Sequence, residues 1–143
     1  MSNRIKIESR AYEAIEALEN YLKTTGITPL HKELIKIRAS QINGCAYCIN
    51  MHTKDARAAG ETEQRIYALS AWRDAPFFTD EERAILALTE ELTLVANHGV
   101  SDEVYAEAER LLGRKYLAEV YMAVITINAW NRIGVGLKMQ PVA

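Results

Sequence analysis

Proline and glycine are scarce in this chain, three and seven among 143 residues. A protein built of many short strands needs more turn-forming residues, so the scarcity argues against a sandwich or barrel. No charge of one sign dominates: 17 Lys and Arg stand against 19 Asp and Glu, a net charge of −2. Without a basic block there is no footprint for nucleic acid or for an anionic membrane surface, and neither is expected as a partner. Long apolar runs are missing too. The most apolar stretch, residues 121–127, is interrupted by Thr126 and is too short to span a bilayer. Residues 1–8 show neither an apolar core nor a small-residue cleavage site, so no export signal is read and a reducing cytoplasm is the expected compartment. Cysteine occurs twice. Two thiols in such a compartment do not make a permanent staple, and a chain of this length buries enough surface to fold without one.

What is present is helical periodicity. Hydrophobic residues are 49% and charged residues 25%, a globular mixture rather than a disordered one. Tyr12, Ile15, Leu18 and Leu22 recur at steps of three and four, which predicts a helix over residues 9–23. Thr28-Pro29 reads as an N-cap and first helical position, and Leu30, Leu34 and Ile37 form the stripe of a second helix that stops near Asn43-Gly44. A third runs from Cys45 to Gly60 and a shorter fourth over 62–72. Thr79 and Glu82 make a capping box that opens a fifth, with Ile85, Leu88, Leu92 and Val95 on its apolar stripe. Ser101 to Gly113 bounds a sixth. The last spans 115–137; its β-branched run Val124 to Ile127 would suit a strand, but the three-to-four spacing from Leu117 to Asn131 favours helix. Such an apolar helix belongs at the centre of a bundle or at a subunit contact. The expected architecture is all-α, a single domain over 1–143 of about six to seven helices.

The two cysteines, Cys45 and Cys48, open the third helix in a C-x-x-C spacing, and His52 follows Cys48 by four. Steps of three and four keep all three on one face. A helix N-terminus stabilises a thiolate, and an adjacent imidazole can take its proton, which makes Cys48 the better candidate for the activated sulfur. Cys45, one turn away, can condense with an oxidised Cys48 to close a disulfide. If the second and third helices form a hairpin about Asn43-Gly44, Glu33 and His52 lie at similar distances from the turn and face each other. A carboxylate there would fix the imidazole tautomer and raise its basicity. The residues alone therefore predict a relay of Glu33, His52 and Cys48, with Cys45 as partner thiol and the core motif within 29–60.

The same residues carry a family resemblance. Glu33, Cys45, Cys48 and His52, within ELIKIRASQINGCAYCINMHTKDARAAG, resemble the core of the AhpD-like alkylhydroperoxidase branch of the carboxymuconolactone decarboxylase family. The segment Phe78-Thr79-Asp80-Glu81-Glu82-Arg83 and the tail Ile127-Asn128-Ala129-Trp130-Asn131-Arg132-Ile133 extend the likeness over most of the chain. The resemblance implies an all-helical AhpD-like bundle, reduction of organic hydroperoxides through the cysteine pair, and a homo-oligomer, trimer or hexamer. It implies Cys48 as the sulfur that becomes sulfenic acid, Cys45 as proton donor and resolving thiol, and Glu33 and His52 as the rest of the relay. The implied partners are a peroxide substrate and an external dithiol or thiol-protein reductant, with no cofactor and no metal. One position departs: Tyr47 stands where well-studied members carry histidine. A phenol titrates near about 10 rather than about 6.5, so it does not supply the same base near neutral pH.

Other readings use the same residues. A thiol-disulfide reductase that recycles a partner peroxiredoxin needs the same disulfide. A decarboxylase reading is disfavoured because decarboxylase members lack the cysteine pair. Zinc would find three ligands in Cys45, Cys48 and His52, with His31 or Glu33 as a fourth, but no second motif closes such a site. His31 and His98 read as helix-end residues, and Asn128 and Asn131 as buried hydrogen-bonding groups that fix register.

Overall fold

The computed structural model describes residues 3–143; Met1 and Ser2, the start of the segment read as carrying no export signal, lie outside it. The described residues form eight α-helices and no strand: α1 (Ser9–Leu22), α2 (Pro29–Asn43), α3 (Ala46–Ala58), α4 (Glu63–Ala68), α5 (Asp80–Thr93), α6 (Val95–His98), α7 (Asp102–Leu112) and α8 (Arg114–Gly136). A 3₁₀ turn, Leu69–Ala71, extends α4. The single all-α domain is as expected, with one short helix more than six or seven. That helix is α6. The fifth apolar stripe was expected to run on through Val95, but the chain leaves α5 at Leu94, and Val95 is exposed. The β-branched run in 124–127 is helical, in the middle of α8.

Local signals account for most boundaries. The Thr28 hydroxyl accepts from the His31 N–H and Pro29 takes the first helical position, which removes two of the donors a helix start leaves orphaned. It ends at Gly44, whose φ of 69° lies in the left-handed region that only glycine enters freely. The cap of α5 is reciprocal: Thr79 accepts from the Glu82 N–H at 3.1 Å and the Glu82 carboxylate accepts from the Thr79 N–H at 2.8 Å. Burial alone would raise the Glu82 carboxyl, but hydrogen bonds from Arg65 and Thr79 outweigh it and hold it below the usual carboxylate range.

Two helices make the interior. Residues 33–37 of α2 are all buried, whichever way they point. Ile35 and Ala39 join Ile85, Leu88, Val120, Val124 and Ile127 in one apolar cluster, while Leu34 and Ile37 join Leu69, Trp72 and Leu86 in another. α8 packs against α1, α2, α3, α5 and α7. Its apolar circumference is therefore satisfied largely within the chain. No helix among the described residues is long and apolar enough to cross a membrane. The consequence for the site is that α3 folds back along α2 and lies against the C-terminal part of α8.

Candidate active site

A polar seam runs down the otherwise buried α2. Glu33, Lys36, Ser40 and Asn43 recur at steps of three, four and three, so they share one face. Each is bonded from a neighbouring helix. Lys36 Nζ donates to both oxygens of Glu19 on α1 at 2.7 Å, and Trp130 Nε1 donates to the same carboxylate at 3.1 Å. Asn43 Nδ2 reaches Asn128 and Asn131 on α8, each at 2.9 Å, and Asn131 Nδ2 donates to Ser40 Oγ at 3.0 Å. This network holds the end of α2 on α8; both asparagines hydrogen-bond as expected, Asn131 buried and Asn128 half-buried.

The cysteines sit just beyond that clasp. Cys45 N–H donates to the Ser40 carbonyl at 3.0 Å, and Cys45 then serves as the N-cap of α3. Its sulfur accepts from the Cys48 N–H at 3.3 Å. An amide dipole at a helix start thus points at the Cys45 sulfur, bonded to that of Cys48, the environment that lowers a thiol's proton affinity. Cys45 and Cys48 are joined as a disulfide, with their Cα atoms 5.3 Å apart. Both are buried.

His52, also buried, places Nδ1 3.0 Å from Glu33 Oε2. The hairpin geometry anticipated for these two residues is what the helices adopt. A carboxylate can only accept, so Nδ1 carries a hydrogen, and in the neutral imidazole the lone pair is on Nε2. Asp55 Oδ2 approaches the same Nδ1 at 3.8 Å, outside hydrogen-bonding range. A cleft of about 640 Å³ opens over this cluster. Glu33, Tyr47, Cys48 and His52 line it, and Tyr12 and Trp130, stacked at 6.2 Å, form part of the opposite wall. Cys45 does not line the cleft.

The sequence matches the carboxymuconolactone decarboxylase family over residues 9–91, more than half of the chain. The chain belongs to this family. Among its relatives is the uncharacterised protein YdfG of Bacillus subtilis (strain 168), 42% identical over 140 residues that cover 96% of this chain and 95% of YdfG. A solved structure of a protein of unknown function from Agrobacterium tumefaciens, provisionally assigned as the antioxidant defence protein AhpD, superposes with a TM-score of 0.92. It is 38% identical, covering 95% of this chain and 93% of that one. The AhpD-like resemblance of the motif is thereby borne out at the level of family and fold. The debrominase Bmp8 shares the fold at a TM-score of 0.82, with 20% identity over 92% of this chain and 70% of its own.

Within this family fold, sequence reasoning missed three residues at the site. Lys36 and Asp55 belong to charged helical stretches that are ordinarily solvated, although the polar seam spacing on α2 was a usable signal for Lys36. The third is Gly134, one turn beyond Asn131. A Cβ there would lie 2.6 Å from Cys45 Sγ and 3.4 Å from Cys48 Sγ, so α8 lies directly against the sulfur pair. An isolated glycine inside a helical pattern was the available sign of such a close approach. Gly134→Ala is expected to push the Cys45 sulfur out of line and slow disulfide closure at least about tenfold, since sub-ångström to ångström displacements of reacting groups cost that much or more. Thiol loss after addition of a hydroperoxide measures it; an unchanged rate would show that the sulfur has room to move. His31, considered above as a zinc ligand, is elsewhere, with Nδ1 2.7 Å from the Tyr116 hydroxyl. Arg132 donates to Asn128 on its own helix.

Proposed function

We propose that this chain is a thiol-dependent peroxidase of the alkylhydroperoxidase type, reducing organic hydroperoxides through Cys45 and Cys48. The observation that carries the reading is an asymmetry. Cys48 lines the cleft together with His52 and Glu33, whereas Cys45 is buried behind it. In the dithiol state His52 Nε2 is the free base of the pair, and Glu33 on Nδ1 stabilises the imidazolium that forms when the Cys48 proton moves. The thiolate attacks the outer peroxide oxygen. An S–O bond forms, the O–O bond breaks, and the sulfur is oxidised as the peroxide is reduced. The departing alkoxide needs a proton, which the Cys45 thiol can supply, backed by His52 and Glu33. The Cys45 sulfur then attacks sulfenic Cys48, water leaves, and the disulfide closes. An external dithiol or thiol-protein restores both thiols by exchange.

The reductase reading, in which the disulfide serves a partner peroxiredoxin, uses the same atoms. A cysteine only 4% exposed at the wall of a cleft suits a small peroxide better than a protein thiol. Exposed apolar side chains on α8, Ile125 and Val135, and on the α5–α6 bend, Leu94 and Val95, support assembly into a homo-oligomer, trimer or hexamer.

The test needs no knowledge of the natural reductant. Reduced protein, freed of reductant, receives one equivalent of an organic hydroperoxide, and intact mass and free thiols are recorded. The expected result is loss of both thiols with a mass decrease of two hydrogens. Retention of both thiols would overturn the reading and move the other chemistries of the family forward.

A further inference from the structure

His52 Nδ1 faces two carboxylates but has one hydrogen to give. Glu33 takes it at 3.0 Å; Asp55, at 3.8 Å, receives no side-chain hydrogen bond from the described residues. One ligating atom from each of the three side chains falls within 4.8 Å of the others. Two carboxylates converge on one imidazole nitrogen at the wall of an open cleft. Lys36, one turn along α2 from Glu33, is not drawn into the cluster, because Glu19 holds its ammonium with both oxygens.

We propose that Glu33, His52 and Asp55 form a binding site for a borderline divalent cation of the zinc type. The donor distances suit it. Tetrahedral zinc bonds of 2.0–2.1 Å set neighbouring donors about 3.4 Å apart, and the two His52 distances here, 3.0 and 3.8 Å, bracket that value. His52 and Asp55 are an i, i+3 pair on α3, the spacing with which a helix presents two ligands to one ion, and Glu33 comes from the facing helix. Asp55 is exposed and free to close the remaining gap. Because all three residues line the cleft, water or a small ligand can fill the open coordination position. An imidazole with two carboxylates selects zinc over magnesium, which prefers oxygen and keeps its water. The ion replaces the Nδ1 hydrogen and severs the Glu33–His52 bond. On the peroxidase reading, on which this consequence alone rests, zinc therefore silences the proton relay: the site is an inhibitory one, set on the same imidazole as the chemistry.

The test is calorimetric titration of zinc chloride into untagged protein with the Cys45–Cys48 disulfide intact, so that no thiol can bind the metal. One ion per chain is expected, with no uptake of magnesium. Asp55→Asn and His52→Gln are each expected to weaken binding about tenfold or more. His98→Ala, which removes the other histidine beside a carboxylate, 3.7 Å from Glu91, is expected to leave it unchanged. Thermal melts confirm that Asp55→Asn, a change at an exposed side chain, stays folded. Absence of saturable zinc binding, binding that survives Asp55→Asn, or binding lost with His98→Ala would each overturn the proposal. Zinc binding as described, in a protein that consumes no hydroperoxide, would uphold the site and sink the peroxidase reading.

Discussion

Cys48→Ser is expected to lower hydroperoxide consumption at least about a thousandfold, because the variant has lost the atom that accepts the peroxide oxygen. A serine hydroxyl has no deprotonated population near neutral pH and cannot form a sulfenic acid. Cys45 does not take over, since it is buried and stands off the cleft behind Cys48. The companion variant separates the two thiols. Cys45→Ser keeps the attacking sulfur but removes its resolving partner, so one equivalent of hydroperoxide is expected to leave Cys48 with one added oxygen atom and no disulfide. Excess peroxide then drives it to the sulfinic and sulfonic acids, which the closed disulfide otherwise prevents. Intact mass and a coupled consumption assay read both outcomes. A silent Cys45→Ser with an active Cys48→Ser would exchange the two assignments. Full activity in both would remove the cysteine pair from the chemistry.

Those assignments rest on a motif that was largely legible in the sequence. A short link between two helices makes their facing positions a matter of counting, and Glu33 and His52 meet at 3.0 Å for that reason alone. The caps at Thr28, Thr79 and Ser101 each accept the backbone N–H that their local sequence implies. What was hidden depends on tertiary register. The break at Leu94 carries no glycine or proline; Thr93, next to it, is buried and accepts a hydrogen bond from Asn128 on α8. The contact of Gly134 with the sulfurs exists only because the bonds among Asn43, Ser40 and Asn131 seat α8 at one height on α2. The ion pair of Lys36 with Glu19 requires α1 to cross the cleft, which no local pattern announces. Lys36 borders the cleft and Gly134 both the cleft and the disulfide, whereas the break at Leu94 lies away from them. Periodicity and capping specify the bundle, whereas long-range packing of α1 and α8 shapes the space in which the cysteines act.

His52→Gln is expected to cost about a hundredfold in kcat near pH 7, in the range for loss of a positioned general base. The glutamine side chain can fill the volume and bond to Glu33, but it cannot hold a proton taken from Cys48. The pH profile gives the decisive sign. On the proposed relay, Cys48 reacts at neutral pH because Nε2 accepts its proton. In the variant the thiolate must form without a neighbouring base, so the rate should climb with pH until it passes the thiol's own pKa. The deficit against the native enzyme therefore narrows at alkaline pH instead of remaining constant. Glu33→Gln distinguishes orientation from charge. Its amide oxygen can still accept the Nδ1 hydrogen and preserve the tautomer, but it offers no negative charge to an imidazolium. On the same reading Glu33 acts through His52 as a positioning residue, so its variant should show a smaller loss and a profile displaced in the same alkaline direction. A smaller loss with an undisplaced profile would make Glu33 a structural partner only. Identical profiles in all three proteins would take His52 out of the proton path and leave the helix start at Cys45 as the sole source of thiolate stabilisation.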